Sequence, residues 1–252
     1  MSINLIKWFF IIGIAGLTAM KIIWGLHALQ FLGCVAILLA ISLLLCAIQL
    51  GCFKKIVIAE GKFPGFRYLY LETQGTLSRA AASLSSKVDD IGELIDPEDP
   101  NLRFVGMYFE HSSMLQDESK MRVCWGFAFL NKESENKYKQ VIEKLKEKGA
   151  SEKQIPEFTY AYGSLPFHFV LSFIVAVKKI YPVLFEYLKT HYMKEYYEDA
   201  GIPYLHLPDM KNINIGFPIG KAAEEFKIST ISPPPRNDKW KKAKENYKLK
   251  TN

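Results

Sequence analysis

FLGCVAILLAISLLLCAIQLG, residues 31–51, carries no charged side chain, and Lys54 and Lys55 close the apolar run that contains it. A helix crosses the hydrocarbon core of a bilayer with about 20 apolar residues, so this segment alone is long enough. Ser42 within it can bond back to its own helix. The preceding segment, residues 8–26, is apolar apart from Lys21 near its far end. A lysine there can lay its stem along the helix and snorkel its ammonium to the headgroups, at an insertion cost on the order of 3 kcal/mol. Residues 27–30 would turn the chain between two spans. The sequence thus predicts a membrane anchor over residues 1–53, of one or two helices, about 8–26 and 31–51. A cleaved signal peptide competes for the start, since Lys7 precedes WFFIIGIAG, but no small-x-small cleavage site follows. A buried helix pair of a soluble protein is the other alternative for the whole run.

Charge sets the expected orientation. Lys54, Lys55, Lys62 and Arg67 follow the second span closely, which keeps that end cytosolic under the positive-inside tendency. Cys34, Cys46 and Cys52 lie in or beside the anchor, leaving Cys124 alone in the remainder, so the globular part can form no internal disulfide. There is no Asn-x-Ser/Thr sequon.

Residues 54–230 are long enough for one domain. KIVIAE and FRYLYLE read as strands, with Phe66, Tyr68 and Tyr70 alternating against Arg67, Leu69 and Leu71, and GKFPG between them as a turn. Residues 75–94 read as a helix with Leu77, Ala81, Leu84, Val88 and Ile91 on one face. After the breaker IDPEDPN, LRFVGMYFE and MRVCWGFAFL look like paired strands. The order then starts again. A charged helix over residues 133–148 leads to the strand FTYAYG, a long helix over about 169–197, and the strands PYLHL and INIGFPI. Pro182 should kink or break that long helix. The expected fold is α+β, two strand–helix–strand–strand halves sharing a sheet.

The strings FVGMYFE, KMRVCWG and SLPFHFVLSFIVAVKKIYPVLFEYL resemble the GyrI-like small-molecule-binding family over roughly residues 56–220. The most specific piece is Lys178, Lys179, Ile180, Tyr181, Pro182, Leu184, Tyr187 and Leu188. Within that family the order of anchor and domain is similar to an endoplasmic-reticulum branch of membrane-anchored adaptors. The resemblance implies two halves around a central cleft and an adaptor role in selective autophagy of the endoplasmic reticulum (ER-phagy) or in recruiting a segregase. The autophagy role needs an acidic-flanked aromatic-x-x-aliphatic motif on a long tail. Phe226 follows Glu224 and Glu225, but Ser229 stands where the aliphatic residue belongs; Tyr68 to Leu71 fits the letters inside an expected strand.

Residues 231–252 read as a basic disordered tail. Beyond Pro235, seven basic residues against two acidic ones leave it at +5 of the chain's +6. Lys250 and Lys248, third and fifth from the end, look like a dilysine retrieval signal read by coat proteins, an address rather than an anchor. Together these readings place the protein in the endoplasmic reticulum membrane with its bulk cytosolic. Trp240, Tyr247 and the lysines could equally lie on anionic lipid. Nucleic acid is the less favoured partner, because no recognised module accompanies the basic residues.

Some GyrI-like proteins hydrolyse strained small molecules with a pocket glutamate. The resemblance puts that position in PYLHL, where this chain has His206, a group near half-charge at neutral pH when unperturbed. Glu110 is the substitute carboxylate, although a strand-end glutamate is ordinarily solvated. Tyr108 and Trp125 fall on the paired strands, where they line the cleft or simply pack the core. Tyr108, Glu110, Trp125 and His206 are therefore the candidate ligand-binding residues. His168 and His191 have no second ligand at metal spacing, no cofactor motif is present, and nothing in the residues demands catalysis. Two readings follow: a membrane-anchored adaptor of cytosolic proteins, or a membrane-tethered binding protein or hydrolase for small apolar molecules. A filled cleft favours the first; a closed, aromatic-lined pocket with a buried carboxylate favours the second.

Overall fold

The computed structural model describes residues 11, 13–16, 18–19, 22, 28–96, 98–168, 170–192, 202–208 and 211–251. Helix α1, Ala28–Gln49, has 22 residues and so reaches about 33 Å at the helical rise, enough for a bilayer core. Its segment Leu32–Gln49 is long and apolar enough to cross a membrane. Leu32, Ile37, Leu43, Leu44 and Ile48 are each more than half exposed, which is what a lipid-facing helix requires. Of the first expected span, the described residues are helical and Gly13 abuts the Leu38 side chain; the rest of that expectation lies outside the described residues.

The end of α1 is built into the globule. Gly51 takes a positive φ of 74°, the left-handed C-cap conformation glycine favours, and the Cys52 amide closes on Ala47 O. A Cβ at Gly51 would lie 2.7 Å from Leu165. The Lys179 ammonium donates to the carbonyls of Gly51, Cys52 and Lys54 at 3.0, 2.6 and 2.6 Å. Lys179 thus gathers the carbonyls of the turn that follows α1 and ties that turn to the domain.

Among the described residues, eight strands form one antiparallel sheet: β1 Ala59–Phe63, β2 Phe66–Gln74, β3 Leu102–Tyr108, β4 Arg122–Phe129, β5 Ser151–Ile155, β6 Phe158–Pro166, β7 Tyr204–Pro208 and β8 Asn212–Ile219. Their order is β1-β6-β8-β7-β3-β4-β2-β5. Strands β1 and β2 are joined by a tight turn yet stand near opposite ends of that order, so the sheet must curl until its wings meet. Phe63 and Phe66, one from each wing, have ring centroids 5.7 Å apart. The GKFPG turn is present, but β1 pairs with β6 and β2 with β4 and β5. Helix α2, Leu77–Gly92, and the long helix α5, Val170–His191, cover the outer face together with α3, Lys132–Lys137, and α4, Lys139–Glu147. The halves β2-α2-β3-β4 and β6-α5-β7-β8 repeat the expected order, and β3 and β7 meet at the seam.

Both faces of the sheet are buried. Leu69 and Leu71 pack under the helices while Phe66, Tyr68 and Tyr70 fill the inside of the curl with Phe158, Tyr160 and Phe226. The β2 alternation is thus between two apolar faces. Helix α5 runs through Pro182, which is exposed, as is Lys178 one turn before it; the proline removes the amide that would bond back to the Lys178 carbonyl. Strand β5, SEKQI, has no apolar alternation because it is an edge. Arg67 holds it through Glu152 at 2.7 and 2.9 Å, a charge-assisted bidentate pair.

The segment expected as a disordered tail is ordered instead. Glu72 accepts from the backbone and side chain of Thr230, Ile231 O accepts from Arg122 at 2.9 Å, and Arg236 bridges to Leu115. Helix α6, Asp238–Thr251, follows, with Asn237 capping it through the Trp240 amide. Backbone hydrogen bonds to the domain, absent from any composition argument, account for the order.

Candidate functional site

A cleft of about 120 Å³ opens over the seam. Tyr108 at the end of β3, Glu110 just beyond it and His206 on β7 make its floor. Val177 and Tyr181 come from α5, and Thr76, the N-cap of α2, stands opposite. His111 and Glu118 from the β3–β4 connection complete the mouth. The period of two along a strand puts Tyr108 and His206 on the helix-covered face: Gly106 pairs with His206 and Tyr108 with Tyr204. Gly106 leaves room here, since a Cβ there would lie 3.0 Å from the Tyr108 ring. That ring is folded back toward His206, centroids 4.1 Å apart.

His206 is 2 % exposed and sits among rings, with Phe173 at 4.8 Å and Tyr181 at 5.7 Å. Its Nε2 and the Tyr181 hydroxyl are hydrogen-bonded at 2.8 Å. Its Nδ1 is buried and has no hydrogen-bond partner among the described residues. Burial first, and the charge of His111 second, push the ring down to about 3, because a cation is costly in such surroundings. The imidazole is therefore neutral at pH 7, not near half-charge as the unperturbed value suggests. Burial likewise raises Tyr181 and Tyr108 and lowers His111.

Glu110 differs from expectation. It is buried, not solvated, because Arg122 encloses it: Oε1 accepts from Nε at 2.9 Å and Nη2 at 2.6 Å, and Oε2 from the Arg122 amide at 2.9 Å. Arg236 approaches Oε1 at 3.8 Å. Trp125 stands behind the cleft and donates from Nε1 to the Tyr108 hydroxyl at 2.7 Å. Tyr108, Glu110 and His206 are thus brought together, while Trp125 supports one of them. Lys248 and Lys250 fall within α6. Sequence reasoning missed Tyr181 and His111 as cleft residues. Tyr181 sits on α5 one residue past the core-facing Ile180, and His111 opens a polar loop, so neither carries a local signal of its role. A second hollow of about 230 Å³ lies between Phe185 and Lys189 of α5 and Asn237 and Trp240 at the start of α6. It is a surface groove without a buried polar floor.

No family model and no curated protein matches this chain. Solved structures are similar in chain path. An integron cassette protein of Vibrio cholerae superposes with a TM-score of 0.39 at 9% identity, over 66% of this chain and 98% of its own. The C-terminal domain of EcmrR gives a TM-score of 0.39 at 11% identity, over 66% and 98%. SAV2435, solved bound to tetraphenylphosphonium, gives a TM-score of 0.36 at 7% identity, over 67% and 96%.

Proposed function

We propose that the globule is a small-molecule-binding domain of the GyrI-like kind, held at a membrane by α1. One observation carries the reading: the seam between the two halves opens an aromatic-lined cleft whose floor ring, His206, keeps one buried nitrogen uncommitted. An unsatisfied buried group costs about 1–3 kcal/mol, and the seam keeps one in a ring that lines the cleft. The duplicated strand–helix–strand–strand order supports the GyrI-like assignment. Hydrolysis is the less supported branch, since both Glu110 oxygens accept hydrogen bonds from Arg122 and so are poorly placed to activate water.

The finer parts of the reading rest on sequence. Lys54 and Lys55 after α1 support a cytosolic globule, and the resemblance supports the endoplasmic reticulum as the membrane. The adaptor role, with autophagy or segregase machinery as partners, draws on the order of anchor and domain alone. A single experiment separates the classes. The full chain in lipid nanodiscs is screened against a small-molecule library, with thermal unfolding as readout and Tyr181→Trp to fill the cleft. Stabilising hits that the Tyr181→Trp variant loses are expected. Hits unaffected by that variant, or no hits while a protein captured across the cleft mouth is displaced by it, would overturn the binding reading in favour of the adaptor.

A further inference from the structure

Resting on the reading of α1 as a membrane anchor, and independent of the cleft, we infer that the globule makes a second membrane contact: the first half of α5 and the segment joining α1 to β1 lie in the interfacial layer of an anionic leaflet, beside the point where α1 leaves the bilayer.

The tie between α1 and the globule fixes where that face is. Lys179 donates to the carbonyls of Gly51, Cys52 and Lys54, so a bonded turn, not a loose linker, joins anchor and domain. The chain then continues against the same helix: the side chains of Ile56, Ile58 and Ile180 converge over Gly163. Leu171 and Ile174 precede Lys179 on α5 by about 12 and 8 Å along the helix axis. Their surroundings are therefore close to the membrane surface.

The side chains exposed there are apolar. Phe53 and Val57 are 69% and 72% exposed, and Leu171 and Ile174 49% and 47%. On α5, Leu171, Ile174, Lys178 and Pro182 recur at spacings of three and four and are all exposed, so they form one outward stripe. The buried Ala176, Ile180 and Leu184 occupy the opposite face. Single exposed leucines are ordinary on a soluble surface. An outward apolar stripe that starts beside a membrane anchor is what an interfacial helix presents, its apolar face sunk at the boundary of headgroups and acyl chains.

Charge fits the same occupant. Lys54, Lys55 and Lys178 are exposed, and neither residues 50–58 nor residues 163–185 include an acidic side chain. Lysines at such a surface lay their stems along the apolar layer and place their ammoniums among anionic headgroups. An anionic lipid surface meets the apolar stripe and its basic rim together, and α1 already holds it there.

The test uses the full chain, methyl-labelled at isoleucine, leucine and valine, in nanodiscs of phosphatidylcholine and phosphatidylserine. One sample carries a nitroxide on the lipid headgroup, another a soluble gadolinium chelate, and relaxation is read at each methyl by NMR. The nitroxide lipid should relax Val57, Leu171 and Ile174 several-fold more than Leu94, which is exposed just beyond α2; the soluble chelate should give the reverse order. Replacing phosphatidylserine by phosphatidylcholine should reduce the lipid effect at Leu171 and Ile174; an effect indifferent to that change would overturn the anionic assignment. Leu171 and Ile174 relaxed no more than Leu94, while Leu44 and Ile48 of α1 relax strongly, would overturn the contact and leave the anchor standing. Shielding of the face from both agents would give it to a second copy of the chain and likewise overturn the inference. Leu44 and Ile48 untouched by the nitroxide lipid would instead overturn the anchor reading beneath it.

Discussion

The two faces of the sheet are both aromatic and both buried, yet they treat their polar groups differently. Inside the curl, hydroxyls end on backbone: Tyr68 donates to Val105 O at 2.9 Å and Cys124 O at 3.2 Å, and Tyr70 to Ile228 O at 3.4 Å. Under the helices at the seam, hydroxyls meet side chains instead, Tyr181 with His206 and Tyr108 with Trp125, and one imidazole nitrogen is left over. The carbonyls that Tyr68 bonds belong to β3 and β4 and are fixed by the strand ladder, which locks that ring in place. Side-chain partners can rotate, exchange tautomers and accept a guest. The curl interior is built to hold the fold; the outer seam keeps some of its hydrogen-bonding capacity in reserve.

Replacing Arg122 by leucine should break the seam most severely. It strands the Glu110 carboxylate in a buried site, and loss of one member of a buried pair costs about 3–5 kcal/mol. Denaturant unfolding of the full chain would show it; Glu110→Gln with Arg122→Leu together should recover much of the loss, and an unrecovered double variant would mean the pair is not the cause.

Acid should weaken the seam next. His206 titrates near 6.5 when unfolded and at about 3 when folded, so below 6.5 the unfolded chain takes up a proton that the folded chain refuses. Stability is full above 6.5 and falls as pH drops toward 3, by up to about 1.4 kcal/mol per pH unit for one proton. His111 is lowered too and acts in the same sense. Glu60, Asp99 and Glu152 are lowered by hydrogen bonds or ion pairs, Glu152 to about 2, and these add their own loss only at lower pH. Unfolding free energies measured between about pH 5 and 7 isolate the histidines; in His206→Gln the slope there should fall by most of one proton.

Two hydroxyl deletions sharpen the comparison directly. Tyr68→Phe removes a donor to two ladder carbonyls and should cost about 1–2 kcal/mol. Tyr181→Phe should cost about 1 kcal/mol or less, because the neighbouring His206 can turn or change tautomer. Equal losses measured in parallel would erase the distinction between a locked face and an adaptable one.

Much of the fold was legible because the strands of the two halves are long and apolar and the helices periodic. Of the α5 stripe expected from spacing, Leu171, Ile174, Val175, Lys178, Ile180, Leu184 and Leu188, the last three are buried, whereas Leu171 and Ile174 at its start are about half exposed. Strand β5 was hidden because an edge strand has no apolar face to alternate. The pairing of β1 with β6 was hidden because turn residues such as GKFPG announce a reversal, not the partner. The site was half legible. Tyr108 and His206 share a sheet face through strand period and register, but the burial of Glu110 depends on Arg122 twelve residues away, and the role of Tyr181 on a helix crossing the seam. Such juxtapositions are set by packing between elements, which local pattern does not encode.

The most direct measurement is histidine-selective 15N NMR of the full chain in nanodiscs across pH 4 to 8. The account predicts that His206 stays neutral down to about pH 5, in line with its burial, with Nε2 held by the Tyr181 hydroxyl. A His206 ring that titrates near 6.5 would contradict it.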